Sequence, residues 1–192
     1  MKILSFHNSL EAGAAIYING KIRAAVSEER FNRIKNFHGF PHKSIKYLCK
    51  EFKVNFKDFD YVIYGIISSV DPDVKSNLKI KHKIKSIPQK FKKKFNERIE
   101  SEIQWNRNHL NELYNYAKKN NFLDKLVLID HHKSHAAGAY FTSPFKDSMI
   151  FTFDGKGGFK SSSIYKAKIN KFRRVDFLTT FDSLGYFYGN IT

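Results

Sequence analysis

Leu126-Val127-Leu128-Ile129-Asp130-His131-His132-Lys133-Ser134-His135-Ala136-Ala137 is the stretch whose reading decides the fold. Four consecutive aliphatics between polar residues suit a strand covered on both faces. The small and apolar residues Ala136 to Phe141 suit a helix. A strand running straight into a helix belongs to an α/β sheet, and in such sheets ligands collect at the carboxyl ends of the strands. The polar cluster lies at that end. With the helix running from about His132, His131 and His135 fall one turn apart on one side, and two imidazoles at i and i+4 can grip one metal ion. The plainer alternative is that they cap or pack the helix start. Two protein ligands do not complete a divalent site, so a carboxylate or water must join them.

Working outward, the flanking segments supply the rest of a sheet. Residues 2–6 read as a first strand, followed by the polar His7-Asn8-Ser9-Leu10-Glu11-Ala12-Gly13. Ala14 to Ile18 and Ile22 to Ser27 read as two further strands joined by Asn19-Gly20, a strong hairpin signal. His7 and Asn8 then stand at a sheet end. Glu28 to Asn36 is a charged loop or short helix. Its Arg30, Arg33 and Lys35 are either solvated and paired or form an anion clamp for phosphate or carboxylate. Pro41 suits the first turn of a helix reaching about Phe52, and Phe59 to Tyr64 reads as a buried strand ending at Gly65.

From about Pro88 to Lys119 a long helix or helix pair is expected, with Trp105, Leu110, Leu113 and Tyr114 facing a core. Beyond the histidines, Ser148 to Phe153 forms a strand running into Asp154-Gly155-Lys156-Gly157-Gly158. Strands at 161–166 and 175–181 follow. The Asp-Gly element is read as a turn: a plain hairpin, or a phosphate cradle of backbone N–H groups whose aspartate holds a metal or water. Ser183 is a candidate N-cap for a helix over the final residues.

Composition narrows the class. The 192 residues carry a formal charge of +16 and one cysteine, Cys49, so no intramolecular disulfide can form and a reducing, cytoplasmic location is expected. No segment approaches the roughly 20 apolar residues that span a bilayer, so no membrane partner is expected. Lys75, Lys79, Lys81, Lys83, Lys85, Lys90, Lys92, Lys93, Lys94 and Arg98 crowd one basic segment, read as a helical insertion at about 71–120. Without interleaved aromatics for base stacking, nucleic acid is an unlikely partner and a solvated insertion is favoured. No Walker loop, nucleophile elbow, cysteine zinc pattern or dinucleotide fingerprint occurs.

Several motifs, taken in order, resemble one family. They are His7-Asn8 before an Ala-Ala strand, Asn19-Gly20-Lys21-Ile22, Ala24-Ala25-Val26-Ser27-Glu28-Glu29-Arg30-Phe31, Phe40-Pro41, His131 to Ala137, Phe153-Asp154-Gly155 and Ser183-Leu184-Gly185. Together they resemble the amino-terminal domain of the carbamoyltransferases that decorate nodulation factors and antibiotics.

The resemblance implies a ribonuclease-H-like (actin-like ATPase) lobe, with a mixed five- to six-stranded sheet and flanking helices. It implies a carbamoyl group taken from carbamoyl phosphate, activated with ATP and Mg2+ as carbamoyl-adenylate, and passed to a hydroxyl of a sugar-like or natural-product acceptor. By position, His131 and His135 match paired Fe2+ or Zn2+ ligands. His7, Asn8, Arg30, Arg33, Asp154 and Gly155 fall near the nucleotide or carbamoyl group, and Lys35 and His132 are candidate catalytic residues, with His132 the candidate base. Asn8 stands where many relatives have aspartate, and Asn36 where many have histidine. The third metal ligand of the family lies beyond Thr192. The second lobe and the adenylate-forming domain are expected to be missing, or supplied as a separate polypeptide, and this chain alone is expected to be inactive. The competing readings are a non-catalytic metal- or anion-binding module and, on charge alone, a basic nucleic-acid-binding protein.

Overall fold

The structure is a computed structural model that describes residues 1–66 and 85–191. The chain divides into two compact units, Met1–Gly65 with Arg107–Ile129, and Ile66–Asn106 with Asp130–Thr192. Lys75, Lys79, Lys81 and Lys83 of the basic segment lie outside the described residues.

The first unit is built on a mixed five-stranded sheet. β1 (Lys2–His7), β2 (Gly13–Ile18) and β3 (Lys21–Ser27) form an antiparallel meander, and β4 (Tyr61–Ile66) adds in parallel to the other edge of β1. With β5 (Leu126–Asp130) the order is β3-β2-β1-β4-β5. The β2–β3 turn forms because Asn19 and Gly20 take φ of 50° and 85°, the two positive values that a type I′ hairpin needs. Helix α1 (Glu29–Asn32) is a single turn, and α2 (His42–Glu51) buries Ile45 and Leu48. The core holds Leu4, Phe6, Ile16, Leu48, Phe59 and Val62.

Helix α3 (Gln89–Lys119) is one unbroken helix. Its later residues carry Leu113 and Ala117, both fully buried, into the first unit, so this part of the basic segment is core. Tyr114, expected to face a core, is 37% exposed. It neighbours Leu113 in sequence, and adjacent helical positions point about 100° apart. β5 also differs from expectation: Val127 is 38% exposed and Leu126, Leu128 and Ile129 are half-buried, so no residue of the aliphatic run is fully covered.

The second unit carries α4 (His131–Phe141), β6 (Asp147–Gly157), β7 (Lys160–Lys168), β8 (Lys171–Thr179) and α5 (Leu184–Ile191). β6, β7 and β8 do not join the first sheet. They form their own antiparallel sheet in the order β6-β7-β8, because tight connections let each strand pair with its neighbour in sequence. Helix α4 packs Ala136 and Tyr140 against Ile150, Tyr165 and Ala167. The expected turn at Asp154-Gly155 is not one. The strand continues through it with a register shift between Phe153 and Gly157, and the chain reverses after Gly158, whose φ is 74°. Asp154 therefore projects from a bulged strand.

Candidate metal centre

The cluster begins with a cap. Asp130 ends β5, and its Oδ1 accepts the backbone N–H of Lys133 at 3.0 Å, which stops the strand and starts α4 at His131. Its Oδ2 accepts from Lys160 Nζ at 3.0 Å, with Arg174 at 3.6 Å. Burial alone would raise the Asp130 carboxyl, but the Lys160 ammonium outweighs it and holds the group below the usual carboxylate range. Lys160 is only 5% exposed, a cation the sequence reading passed over because a lysine in a lysine-rich chain carries no signal of burial.

His131 and His135 then stand one helical turn apart, Nε2 to Nε2 at 3.0 Å. Asp154 Oδ2 lies 2.6 Å from His131 Nε2 and 3.6 Å from His135 Nε2. Burial pushes the Asp154 carboxyl up, and its hydrogen bonds with the two imidazoles more than reverse this, leaving it far below its ordinary value. The carboxylate in turn raises His135. Two ligands each about 2.1 Å from a metal stand about 3.0 Å apart at a right angle and about 3.4 Å apart at a tetrahedral one, so the 3.0 and 3.6 Å separations are near those of one ion's ligands, while the 2.6 Å hydrogen bond of Asp154 with His131 would have to open by about 0.4 Å to admit it. Two imidazoles and one carboxylate are a set that suits Fe2+ or Zn2+. His135 is exposed while His131 and Asp154 are half-buried, so one side is open.

Neighbouring backbone fixes the cluster. A Cβ on Gly157 would strike the His131 ring and stand 2.9 Å from His132 Nε2, so any side chain here would displace the two rings. Ser183 Oγ contacts the carbonyls of Gly155 at 2.7 Å and Asp154 at 3.2 Å, and accepts from Tyr186 N at 3.1 Å as the N-cap of α5. A Cβ on Gly185 would lie 2.9 Å from both Cα and N of Gly155, which brings the helix backbone directly onto the strand. Ser183, Gly185 and Asp154-Gly155 thus form one contact. Lys156 turns to Glu102 at 2.6 Å.

The other sequence candidates fall as follows. His132 is fully buried, its Nδ1 is 2.9 Å from Thr152 Oγ1, and burial lowers its pKa. Its Nε2 is buried without a hydrogen-bond partner among the described residues. Asn8 is 1% exposed, with Oδ1 accepting from the Tyr64 hydroxyl and Nδ2 donating to Glu112 Oε2 at 3.2 Å. His7 Nδ1 contacts Ser9 Oγ at 3.1 Å. Arg30, Arg33 and Lys35 are exposed on α1 and the turn after it, and Arg33 ends α1 at φ 63°. These five belong to the first unit; His131, His132, His135, Asp154 and Gly155 belong to the second.

One conspicuous carboxylate was not singled out. Glu28 is 3% exposed and accepts from Lys43 N at 3.0 Å, Ser44 N at 2.7 Å and Ser44 Oγ at 2.7 Å. It serves α2 as a cap, since Pro41 at the N-cap position has no side chain to do so. The sequence signal was Ser44 near a helix start beginning with proline.

The model of the carbamoyltransferase N-terminus matches residues 2–192. The chain is 28% identical over 177 residues to nodulation protein NolNO of Sinorhizobium fredii, covering 92% of this chain and 24% of that protein. It is 29% identical over 168 residues to the uncharacterised protein sll1178 of Synechocystis, covering 84% and 26%. The chain thus spans about a quarter of the length of these curated relatives. Among solved structures, YeaZ from Pseudomonas aeruginosa covers 93% of this chain and 66% of its own at a TM-score of 0.43 and 10% identity. No helix among the described residues is long and apolar enough to cross a membrane. On the family match over nearly its whole length, the chain belongs to the carbamoyltransferase N-terminal family.

Proposed function

We propose that the chain is the amino-terminal part of an O-carbamoyltransferase that uses carbamoyl phosphate and ATP with Mg2+, by way of carbamoyl-adenylate, to carbamoylate a hydroxyl of a sugar-like or natural-product acceptor. The observation that carries this is the convergence of His131, His135 and Asp154 on one point. Fe2+ or Zn2+ bound there would supply Lewis-acid polarisation of the carbamoyl carbonyl. The strand order β3-β2-β1-β4-β5, with β2 antiparallel to β1 and β4 parallel to it, supports the ribonuclease-H-like, actin-like ATPase reading of the first unit.

The chain's own residues have defined work in this reading. Asp130 fixes the first turn of α4 and so the direction of His131. Asp154 would contribute the anionic donor, and its hydrogen bond with His131 Nε2 would give way on metal binding, because that nitrogen is itself the one that faces the ion. His132, tied to Thr152, holds the helix against β6 and is a positioning residue. In the transfer the acceptor oxygen bonds to the carbamoyl carbon, its proton passes to a base, and the bond from that carbon to the adenylate's phosphate oxygen breaks, releasing AMP. Arg30, Arg33 and Lys35 are proposed to receive phosphate groups, as exposed cations that carry charge-assisted bonds well. The remaining machinery comes from further residues of a longer protein or from a partner polypeptide, in keeping with the quarter-length coverage of the relatives.

Elemental analysis of the purified chain tests the carrying observation. Near-stoichiometric iron or zinc, lost in His131→Ala, His135→Ala and Asp154→Ala while the variants remain folded, is the expected result. A wild-type chain without metal, reconstituted anaerobically with either ion and still empty, would sink the metal-centre reading.

A further inference from the structure

Beside the metal cluster, inside the second unit, lies a cavity of about 600 Å3, a size typical of small-molecule sites. Its walls come from the first turns of α3, from the segment before α5, and from α5 itself. Rings dominate: Phe91, Phe95, Phe181 and Phe187 line it, with Phe95 and Phe181 centroids 4.1 Å apart. Two cations, Lys94 and Arg98, stand at the same wall, and Arg98 is held by Glu102 at 3.1 Å. Glu102 also binds Lys156, so the charged groups around the cavity sum to an excess of positive charge.

Ser183 and Tyr186 connect this space to the cluster. Both line it. Ser183 also bonds the carbonyls of Asp154 and Gly155, and the Tyr186 ring lies 3.4 Å from where a Gly155 Cβ would stand. A molecule seated here therefore abuts the strand that presents Asp154. A flat apolar body stacks on rings, and an anionic group meets the cations.

We infer that this cavity binds a ring-bearing organic anion, and that such an anion carries the acceptor hydroxyl. The second half of the inference rests on the transferase reading above; the first stands on the cavity alone.

The test is calorimetric titration of the purified chain with 2-naphthoate and with its neutral isostere 2-naphthamide. Saturable one-to-one binding of naphthoate is expected. Lys94→Glu should weaken naphthoate about fivefold or more, the scale of a partly exposed charge contact, and should change naphthamide less than twofold. Phe187→Ser and Phe91→Ser, both at exposed rings that the fold does not depend on, should weaken the two ligands alike by about tenfold. Phe151→Ser, on a separate exposed face, should change neither. Failure of naphthoate to bind, retention of its affinity in all three cavity variants, or its loss in Phe151→Ser would each overturn the assignment. Metal content, measured independently, separates the two readings. Metal without naphthoate binding defeats the cavity assignment alone; naphthoate binding without metal removes the acceptor role and leaves the cavity assignment in place.

Discussion

Both units contain the same device, a three-stranded antiparallel meander, and the two meanders end up in different circumstances. β1 carries β2 on one edge and β4 on the other, and its Leu4 and Phe6 are 0% and 2% exposed. β6 carries β7 on one edge and no strand on the other among the described residues. One face of β6 is buried through Ile150 and Thr152. The other shows Met149, Phe151 and Phe153 to solvent, 49%, 56% and 65% exposed, with the two phenyl rings stacked 7° from parallel. The strand pattern is alternating in both, so periodicity alone does not decide burial. What decides it is whether a later strand and helix arrive to cover the sheet, as β4 and α2 do for the first unit.

Predictions can break or sharpen this contrast. The largest effect is expected from Leu48→Ala in α2, fully buried over the first sheet: about 3 kcal/mol lost in urea unfolding. Phe151→Ala, the larger deletion, should change stability by less than about 0.5 kcal/mol. Equal losses would mean that the exposed face is packed after all. Next is Glu28→Ala, which strips α2 of its cap and strands the Ser44 hydroxyl; about 2 kcal/mol is expected, with faster amide exchange at Lys43 and Ser44 as the local signature.

Alkaline titration follows. Burial first, and the Cys49 thiol second, push Tyr116 up to about 12, and burial with Glu112 raises Tyr64 further. A folded-state pKa above the unfolded value means stability fully present below about pH 10 and lost as pH rises through the folded value. The first unit should therefore weaken between pH 10 and 12, and Tyr116→Phe should flatten that slope. An unchanged slope would show that Tyr116 is not held neutral by the fold. The smallest effect is on self-association: Phe151→Lys with Phe153→Lys should leave unfolding unchanged and reduce any concentration-dependent oligomer seen by sedimentation, if the exposed face is what drives it.

Legibility in the sequence followed the range of the interaction. The Asn19-Gly20 turn, the Pro41 helix start, the Ser183 cap and the His131–His135 spacing depend on residues a few positions apart, and each stands in the structure as read. The five-stranded mixed sheet was also within reach, because each of its strands has its own apolar pattern. What escaped the reading was long-range. Separation of β6–β8 into a second sheet depends on which edges meet, and the burial of Lys160 depends on Asp130 thirty residues away. Asp154 was singled out for its Asp-Gly signature, yet its approach to the histidines needed the register shift in β6 that no local pattern announces. Glu28 was hidden for the same reason, since its partners sit on another element.

The backbone contact between Gly185 and Gly155 sets a limit on how this chain can vary here. Neighbouring backbone atoms stand 2.9 Å from a Cβ at 185, so alanine there separates the helix from the strand, whereas at 157 the obstacle is the His131 ring, so alanine there turns a metal-site side chain. Gly155 faces only a tyrosine ring at ordinary contact distance. A saturation library scored for metal retention and for docking of the last helix should therefore lose the metal at 157, lose the helix contact at 185 and admit alanine at 155, sorting three glycines that look alike in the sequence by what each one holds apart.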